Sequence, residues 1–146
     1  MRTAEEKKRI AGLDVGDKTI GVAISDRLLL TAQGLEVIRR TSLERDLERL
    51  RQIIDEHEVE TVVLGMPKHM NGTVGARGEL VEQFASVLRE KFSCIAIDFW
   101  DERLSTVAAE KFLVQADVSR AKRKQVIDKM AAVFILQGYL DRIARC

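Results

Sequence analysis

Two short apolar runs separated by a tight turn begin the chain, and they constrain its fold more than any other feature. Residues 9–14 and residues 19–25 are rich in Ile, Leu, Val and Ala, and Gly16 lies in the turn between them. Apolar runs joined by so few residues are typical of paired antiparallel strands. The first run ends on Asp14. Because a buried carboxylate is costly unless it is paired, protonated or bound to a cation, Asp14 is a candidate functional residue.

The next segment extends the strand pattern and then changes to a helical one. Residues 28–40 predict a third strand, with a bulge or bend at Gln33 and Gly34, so that the first three strands form a β-meander. Apolar residues then recur at steps of three and four after Ser42, which predicts a helix capped by that serine. The predicted apolar face of this helix consists of Leu43, Leu47, Leu50, Ile53 and Ile54.

The second half of the chain alternates strands with helices. The predicted elements are a buried strand at 61–65, a helix with Leu80, Val81, Phe84, Val87 and Leu88 on its apolar face, a strand at 94–100, a helix at 105–113 and a terminal helix at 126–143. This order predicts an α/β fold with a mixed five-stranded sheet. The meander lies on one side, parallel strands joined by right-handed crossovers lie on the other, and helices cover both faces.

Length and composition favour a single domain over residues 1–146, with residues 1–8 as a flexible N-terminal extension. No apolar run approaches the roughly 20 residues needed to cross a bilayer, and the charged start lacks the apolar core of a signal peptide. The two cysteines form neither a disulfide framework nor a metal-binding spacing. We therefore expect a cytoplasmic protein. The net charge of +1 means that any nucleic-acid binding must depend on local basic patches.

Acidic residues at strand ends and in the terminal helix suggest a metal centre. Ligands of open α/β sheets lie beyond the carboxyl ends of parallel strands. Asp128 shares a helical stripe with Ala131 and Ala132, which predicts close packing against the sheet. Clustered carboxylates repel each other unless they share a proton or bind hard cations, and oxygen donors favour Mg²⁺ or Mn²⁺. The candidate ligands are Asp14, Asp101, Glu102 and Asp128.

Each acidic residue also has a purely structural interpretation. Asp14, just ahead of a glycine, is compatible with an ordinary turn. Asp128 is compatible with a solvated or salt-bridged position on a helix. The Asp-Glu pair at 101–102 is compatible with a favourable interaction between acidic side chains and a helix N-terminus. Taken singly, the residues leave both interpretations open.

Four segments of the sequence closely resemble, in order, the signature blocks of the bacterial YqgF family, also called RuvX-like. They are GLDVGDKTIGVAISD, GMPKHMNGTVGARG, DERLST and KRKQVIDKMAAVFILQGYL. Members of that family are described as candidate Holliday-junction resolvases and as nucleases that mature the 5′ end of 16S rRNA. The resemblance implies a ribonuclease H-like fold and a catalytic metal centre. Its ligands would be Asp14, Glu102 and Asp128, with Asp101 as the alternative to Glu102.

Further residues are suited to contact phosphates. They lie in the first turn, in the glycine-rich loop after the fourth strand, beside the acidic pair and in a basic stretch near the terminal helix. The alternatives are solvated turns, an ordinary loop, an ion pair and a solvated charge run. The candidates are Lys18, Thr19, Lys68, Asn71, Arg77, Arg103, Arg120, Lys122, Arg123 and Lys124.

We expect an endonuclease that uses divalent metal, with two Mg²⁺ or Mn²⁺ ions, to hydrolyse phosphodiester bonds in structured nucleic acid. Maturation of the 5′ end of pre-16S rRNA, in contact with a ribosomal precursor particle, is the leading hypothesis. Resolution of four-way DNA junctions is the alternative, and no membrane partner is expected. Two other classes are a nucleic-acid binding module without catalysis and a nucleotide-dependent phosphotransferase. The latter requires two such domains around ATP.

Overall fold

A computed structural model of the chain describes residues 8–67, 72, 74–101 and 120–144, and for residues 120–129 it describes the backbone alone. The predicted helix at 105–113 lies outside these ranges. The elements are β1 (Arg9–Val15), β2 (Thr19–Ser25), β3 (Ala32–Arg39), α1 (Leu43–His57), β4 (Val59–Met66), α2 (Ala76–Lys91), β5 (Ala96–Asp101) and α3 (Arg120–Ala144). None of these helices is both long and apolar enough to span a membrane.

The five strands form one mixed sheet in the order β3-β2-β1-β4-β5. The pairs β1–β2 and β2–β3 are antiparallel, whereas β1–β4 and β4–β5 are parallel. This arrangement confirms the predicted meander and the parallel half of the sheet. Strand β1 lies at the centre, so its backbone is hydrogen-bonded on both sides.

Helices cover both faces of the sheet, as predicted. On one face, Leu13 of β1 belongs to a core built with α1 and α2. On the other face, Ile10 packs with the buried residues of α3. The α3 residues of this second core are Ala132, Ile135, Leu136 and Leu140. Because successive side chains of a strand alternate between faces, β1 contributes to both cores.

The prediction for the apolar faces of α1 and α2 is wrong at one leucine near the start of each helix. Leu43 is 44% exposed and Leu80 is 51% exposed, because both residues line an open cleft. Ser42 does cap α1, since its side-chain oxygen accepts a hydrogen bond from the backbone N–H of Arg45 at 3.3 Å. Asp46 is buried near this end of α1, at 2% exposure.

Strand β3 begins at Ala32, four residues later than predicted. A turn built by Asp26 causes the difference: its Oδ1 accepts from the N–H of Leu30 at 2.7 Å and of Thr31 at 3.1 Å. Leu29 takes a left-handed conformation in this turn, with φ of 60°. The predicted bulge is confirmed, because the register between β2 and β3 shifts next to Gly34.

Helix α3 approaches β1 closely because Gly12 has no side chain. A Cβ on Gly12 would lie 2.7 Å from the Cβ of Leu136 and 3.1 Å from the carbonyl oxygen of Ala132. Farther along α3, the Gln137 amide accepts from the N–H of Ala32 at 2.9 Å. Ala32 pairs with Ser25, which lies beside the start of β1. Helix α3 therefore packs across β1 at Gly12 and reaches the start of β3.

The outer side of α3 is held to β5. A Cβ on Gly138 would lie 2.8 Å from the Trp100 ring, so the indole lies directly against the helix backbone. The Tyr139 hydroxyl donates to Oδ2 of Asp98 at 3.0 Å. Burial, together with this hydrogen bond, raises the pKa of Tyr139 above its ordinary value. These contacts hold the C-terminal half of α3 to β5.

Replacing Gly12 by Ala should force α3 away from β1 and reduce the free energy of unfolding by about 1–3 kcal/mol, the usual cost of overpacking. Urea unfolding of the variant measures this loss. Gly34→Ala is the matched control, because Gly34 is exposed and has an ordinary φ. Equal stability of the Gly12→Ala variant and the wild type would contradict the close approach.

Candidate active site

Asp14 lies at the carboxyl end of the central strand, on the face that α3 covers. It is half-buried and pairs across β1–β2 with Gly21. The preceding residue, Leu13, faces the core of α1 and α2. Strand alternation therefore assigns Asp14 to the opposite face, which it shares with Gly12. Asp14 thus lies two residues beyond the point where α3 contacts the strand, on the same face.

Asp101 ends β5 at the same edge of the sheet but belongs to the other face. Phe99 packs against the core of α1 and α2, whereas Trp100 packs with α3. Continued alternation assigns Asp101 to the face of Phe99, opposite to Asp14. The sheet therefore lies between the faces to which Asp101 and Asp14 belong. Glu102 itself lies outside the described residues.

Residue 128 belongs to α3 and precedes the contact between this helix and Gly12. That contact involves the carbonyl oxygen of Ala132 and the Cβ of Leu136, which follow residue 128 by four and eight residues. The prediction that Asp128 approaches the sheet margin stays a prediction, because its side chain lies outside the described part of the chain.

The turn after Asp14 carries two of the predicted phosphate contacts. The N–H of Gly16 donates to the carbonyl of Thr19 at 2.9 Å and closes the hairpin. Lys18 is exposed at the tip, and Thr19 is half-buried at the start of β2. These two side chains therefore stand at the same edge of the sheet as Asp14.

Arg40 and Asp46 form an ion pair beside this turn that the sequence analysis did not single out. The Nε of Arg40 donates to Oδ2 of Asp46 at 3.1 Å, and its Nη1 donates to the carbonyl of Gly16 at 3.0 Å. The sequence does contain a signal for it. Asp46 precedes Leu50 by four residues, which puts a carboxylate on the apolar stripe of α1.

A cleft of about 470 Å³ opens on the α1 and α2 side of the turn. Arg77 lines it as an exposed residue in the first turn of α2. It was expected in the glycine-rich loop, but the helix already begins at Ala76. Gly75 takes the capping position without a side-chain hydrogen bond. Arg77 therefore stands near the carboxyl edge of the sheet, but on the face opposite to Asp14.

The remaining predicted contacts lie outside the described side chains. The basic stretch was expected to precede the terminal helix, but α3 already begins at Arg120 and includes it. A helical conformation continues through this stretch because its lysines and arginines are good helix formers. Its predicted contacts are Arg120, Lys122, Arg123 and Lys124, while Lys68, Asn71 and Arg103 fall in undescribed segments.

The donors available at this edge suit a hard divalent cation. Within the described side chains, no group of three His, Cys, Asp or Glu residues could hold a metal. Asp14 supplies carboxylate oxygens there, and the other predicted ligands, Glu102 and Asp128, would add only oxygen. An all-oxygen set is the coordination that Mg²⁺ and Mn²⁺ prefer. The residues therefore fit the predicted ion.

Comparison with known proteins identifies the family. The sequence pattern of the family described as "RuvX: Holliday junction resolvase" matches residues 8–142. The chain belongs to the RuvX family. A relative from Desulforamulus reducens, named "Putative pre-16S rRNA nuclease", is 66% identical over 94% of this chain and 99% of its own length. A relative of the same name from Carboxydothermus hydrogenoformans is 62% identical over 91% of this chain and 96% of its own.

Solved structures share the fold of this RuvX chain at low sequence identity. RuvC of Thermus thermophilus, in complex with a Holliday junction substrate, has a TM-score of 0.59 and 14% identity, covering 94% of this chain and 96% of that one. The yeast mitochondrial Holliday junction resolvase has a TM-score of 0.59 and 12% identity, covering 97% and 83%. The ribonuclease H-like fold predicted from the sequence is thereby confirmed.

Replacing Asp14 by Asn should reduce thermal stabilisation by Mg²⁺ or Mn²⁺ while leaving metal-free stability unchanged or higher. A ligand present at 100 times its Kd stabilises by about 2.7 kcal/mol, and the variant should lose most of that gain. Thermal unfolding with EDTA and with metal measures both quantities. Asp55→Asn, on the exposed side of α1, is the control. Unfolding of the Asp14 variant without metal would instead indicate a structural role.

Proposed function

We propose that this RuvX chain is an endonuclease that uses divalent metal to hydrolyse phosphodiester bonds in structured nucleic acid, with the 5′ end of pre-16S rRNA as its substrate. The observation that carries the proposal is Asp14, half-buried at the carboxyl end of the central strand, two residues beyond the contact of Gly12 with α3. Family membership and the name of the relatives support the reaction and the RNA substrate. This role implies a cytoplasmic protein with a ribosomal precursor particle as partner.

The metal centre that we propose consists of Asp14, Glu102 and Asp128. Asp14 is held by the ladders of β1, so its carboxylate has a rigid support. Asp101 remains the alternative to Glu102, but the alternation of β5 assigns it to the other face. Two bound Mg²⁺ or Mn²⁺ ions would lower the pKa of an attacking water and stabilise the leaving oxygen.

Substrate binding is assigned to basic and polar residues around this edge. Lys18 and Thr19 follow Asp14 in the turn and can hold a phosphate next to the carboxylate. Arg77 can contact the nucleic acid on the other side of the edge. The basic start of α3 can hold the backbone farther out through charge alone. The residues that we propose to contact the nucleic acid are Lys18, Thr19, Lys68, Asn71, Arg77, Arg103, Arg120, Lys122, Arg123 and Lys124.

Cleavage of four-way DNA junctions is the second candidate function. The family description and the shared fold of the solved resolvases favour it. Both functions use the same phosphodiester chemistry, so the substrate distinguishes them. Labelled precursor 16S rRNA and a synthetic four-way junction should therefore be compared side by side. Faster cleavage at the rRNA 5′ end supports the first candidate, and symmetrical cutting of the junction supports the second.

Cleavage should require Mg²⁺ or Mn²⁺ and no nucleotide cofactor. Excess EDTA should abolish it, and added metal should restore it, because the proposed ligands are all carboxylates. Asp14→Asn and Asp128→Asn should each bind substrate and lose cleavage, with Asp55→Asn as the active control. Full cleavage in EDTA would contradict the metal centre. If the wild type binds nucleic acid but does not cleave it with either metal, the protein is a binding module. If its activity depends on ATP, the protein is a phosphotransferase.

Replacing the four proposed basic contacts at the start of α3 by Ala should weaken the binding of nucleic acid, whatever its base sequence. Each lost phosphate contact should reduce the slope of log K against log salt by about 0.7 for single strands and about 0.9 for duplexes. Binding across a salt series measures this slope. The variant carries Ala at Arg120, Lys122, Arg123 and Lys124. Arg45→Ala with Lys91→Ala is the control, because both side chains are exposed on other helices. An unchanged slope would identify the α3 residues as solvated charges.

A further inference from the structure

We propose that Arg40, paired with buried Asp46, is a positioning residue that fixes the turn at residues 16–19 beside Asp14. The inference rests on the proposed nuclease function for its catalytic consequence and on the described contacts for its structural part. Arg40 follows β3 and is distant from the turn in sequence, so the contact depends on the tertiary fold.

Arg40 contacts the turn from two directions. Its Nη1 donates to the carbonyl of Gly16 at 3.0 Å, and its backbone N–H donates to the carbonyl of Lys18 at 2.8 Å. The hairpin itself is closed by the hydrogen bond from Gly16 to Thr19 at 2.9 Å. Carbonyl groups on both sides of Asp17 are therefore tied to one residue.

The guanidinium of Arg40 is itself held in place. Asp46 is 2% exposed and accepts both from Nε of Arg40, at 3.1 Å, and from the N–H of Thr41, at 3.3 Å. The Phe84 ring of α2 lies under the guanidinium, with 5.4 Å from its centroid to the Cζ of Arg40. A planar guanidinium can donate in two directions from one fixed position, which the single ammonium of a lysine does less well.

This arrangement links the turn to α1 and α2, the two helices that cover the face of the sheet opposite to α3. Residue 46 belongs to α1, Phe84 belongs to α2, and the turn follows the strand that bears Asp14. If Lys18 and Thr19 hold a phosphate beside Asp14, a shift of the turn by about 1 Å is expected to cost roughly 100-fold in rate. Arg40 would act only through the turn, without touching the substrate.

The decisive variant removes the whole ion pair, by Arg40→Met together with Asp46→Leu. Arg40→Met alone leaves a buried carboxylate without its cation and is expected to destabilise the fold strongly. The double variant removes that charge, and apolar replacements of buried ion pairs are often neutral for stability. Arg40→Lys is the second variant, since it keeps a positive charge beside Asp46 but loses the planar fork.

The matched control removes another ion pair of α1, by Arg49→Met together with Glu36→Leu. Arg49 donates to Glu36 on β3, away from the turn. Both pairs join α1 to the end or body of β3, and both double variants replace one cation and one anion by apolar side chains. The control therefore reports the general effect of losing such a pair.

Two measurements test the proposal. Amide hydrogen exchange of Gly16, recorded without metal, should accelerate at least about tenfold in the double variant and in Arg40→Lys, while core amides of β1 keep their wild-type rates. The kcat/KM for cleavage should fall about 10- to 100-fold in the same variants, even where the thermal midpoint matches the wild type. The control pair should leave both quantities within about twofold.

Wild-type exchange at Gly16 in the two Arg40 variants would overturn the proposal, and so would equal changes in the control pair. Accelerated exchange with unchanged cleavage would also overturn it, because the turn would then move without consequence for the reaction. A wild-type protein that cleaves no nucleic acid would refute the proposed function. The exchange measurement would still decide whether Arg40 holds the turn.

Discussion

The hydrogen-bond ladders of β1 support the rest of the structure. The strand pairs with β2 on one side and with β4 on the other, and its side chains enter the cores on both faces. An exposed strand end is mobile, but Asp14 lies where the strand is still paired with Gly21. Both the apolar cores and the candidate site therefore depend on the same backbone, which cannot shift without breaking the sheet.

The two faces of the sheet contribute different interactions to the candidate site. The face of α3 provides close packing, because Gly12 allows the helix backbone to approach the strand. The face of α1 and α2 provides a polar support, in which Arg40 ties the turn to buried Asp46. A buried ion pair contributes little net stability but is costly to break singly. Here the pair holds the Arg40 guanidinium where it donates to the carbonyl of Gly16.

The alternation of side chains in β5 also has a functional consequence. Asp101 and Glu102 are neighbours in the sequence and chemically almost equivalent, so their order alone does not separate them. Phe99 and Trp100 identify which face each position of β5 supplies. On that basis Asp101 belongs with α1 and α2, whereas Asp14 belongs with α3. The pleat of β5 therefore assigns Asp101 to the face opposite to that of Asp14.

The sequence by itself determined the order of the described elements and the mixed sheet, because hydrophobic periodicity and turn residues act locally. It also provided the candidate site residues. It missed the exposure of Leu43 and Leu80, the Asp26 turn and the helical state of the basic stretch. Only the tertiary structure decided that Arg40 reaches Gly16, that α3 crosses β1 at Gly12 and that Asp14 and Asp101 belong to opposite faces. These facts depend on contacts between residues far apart in the chain, which no local pattern encodes.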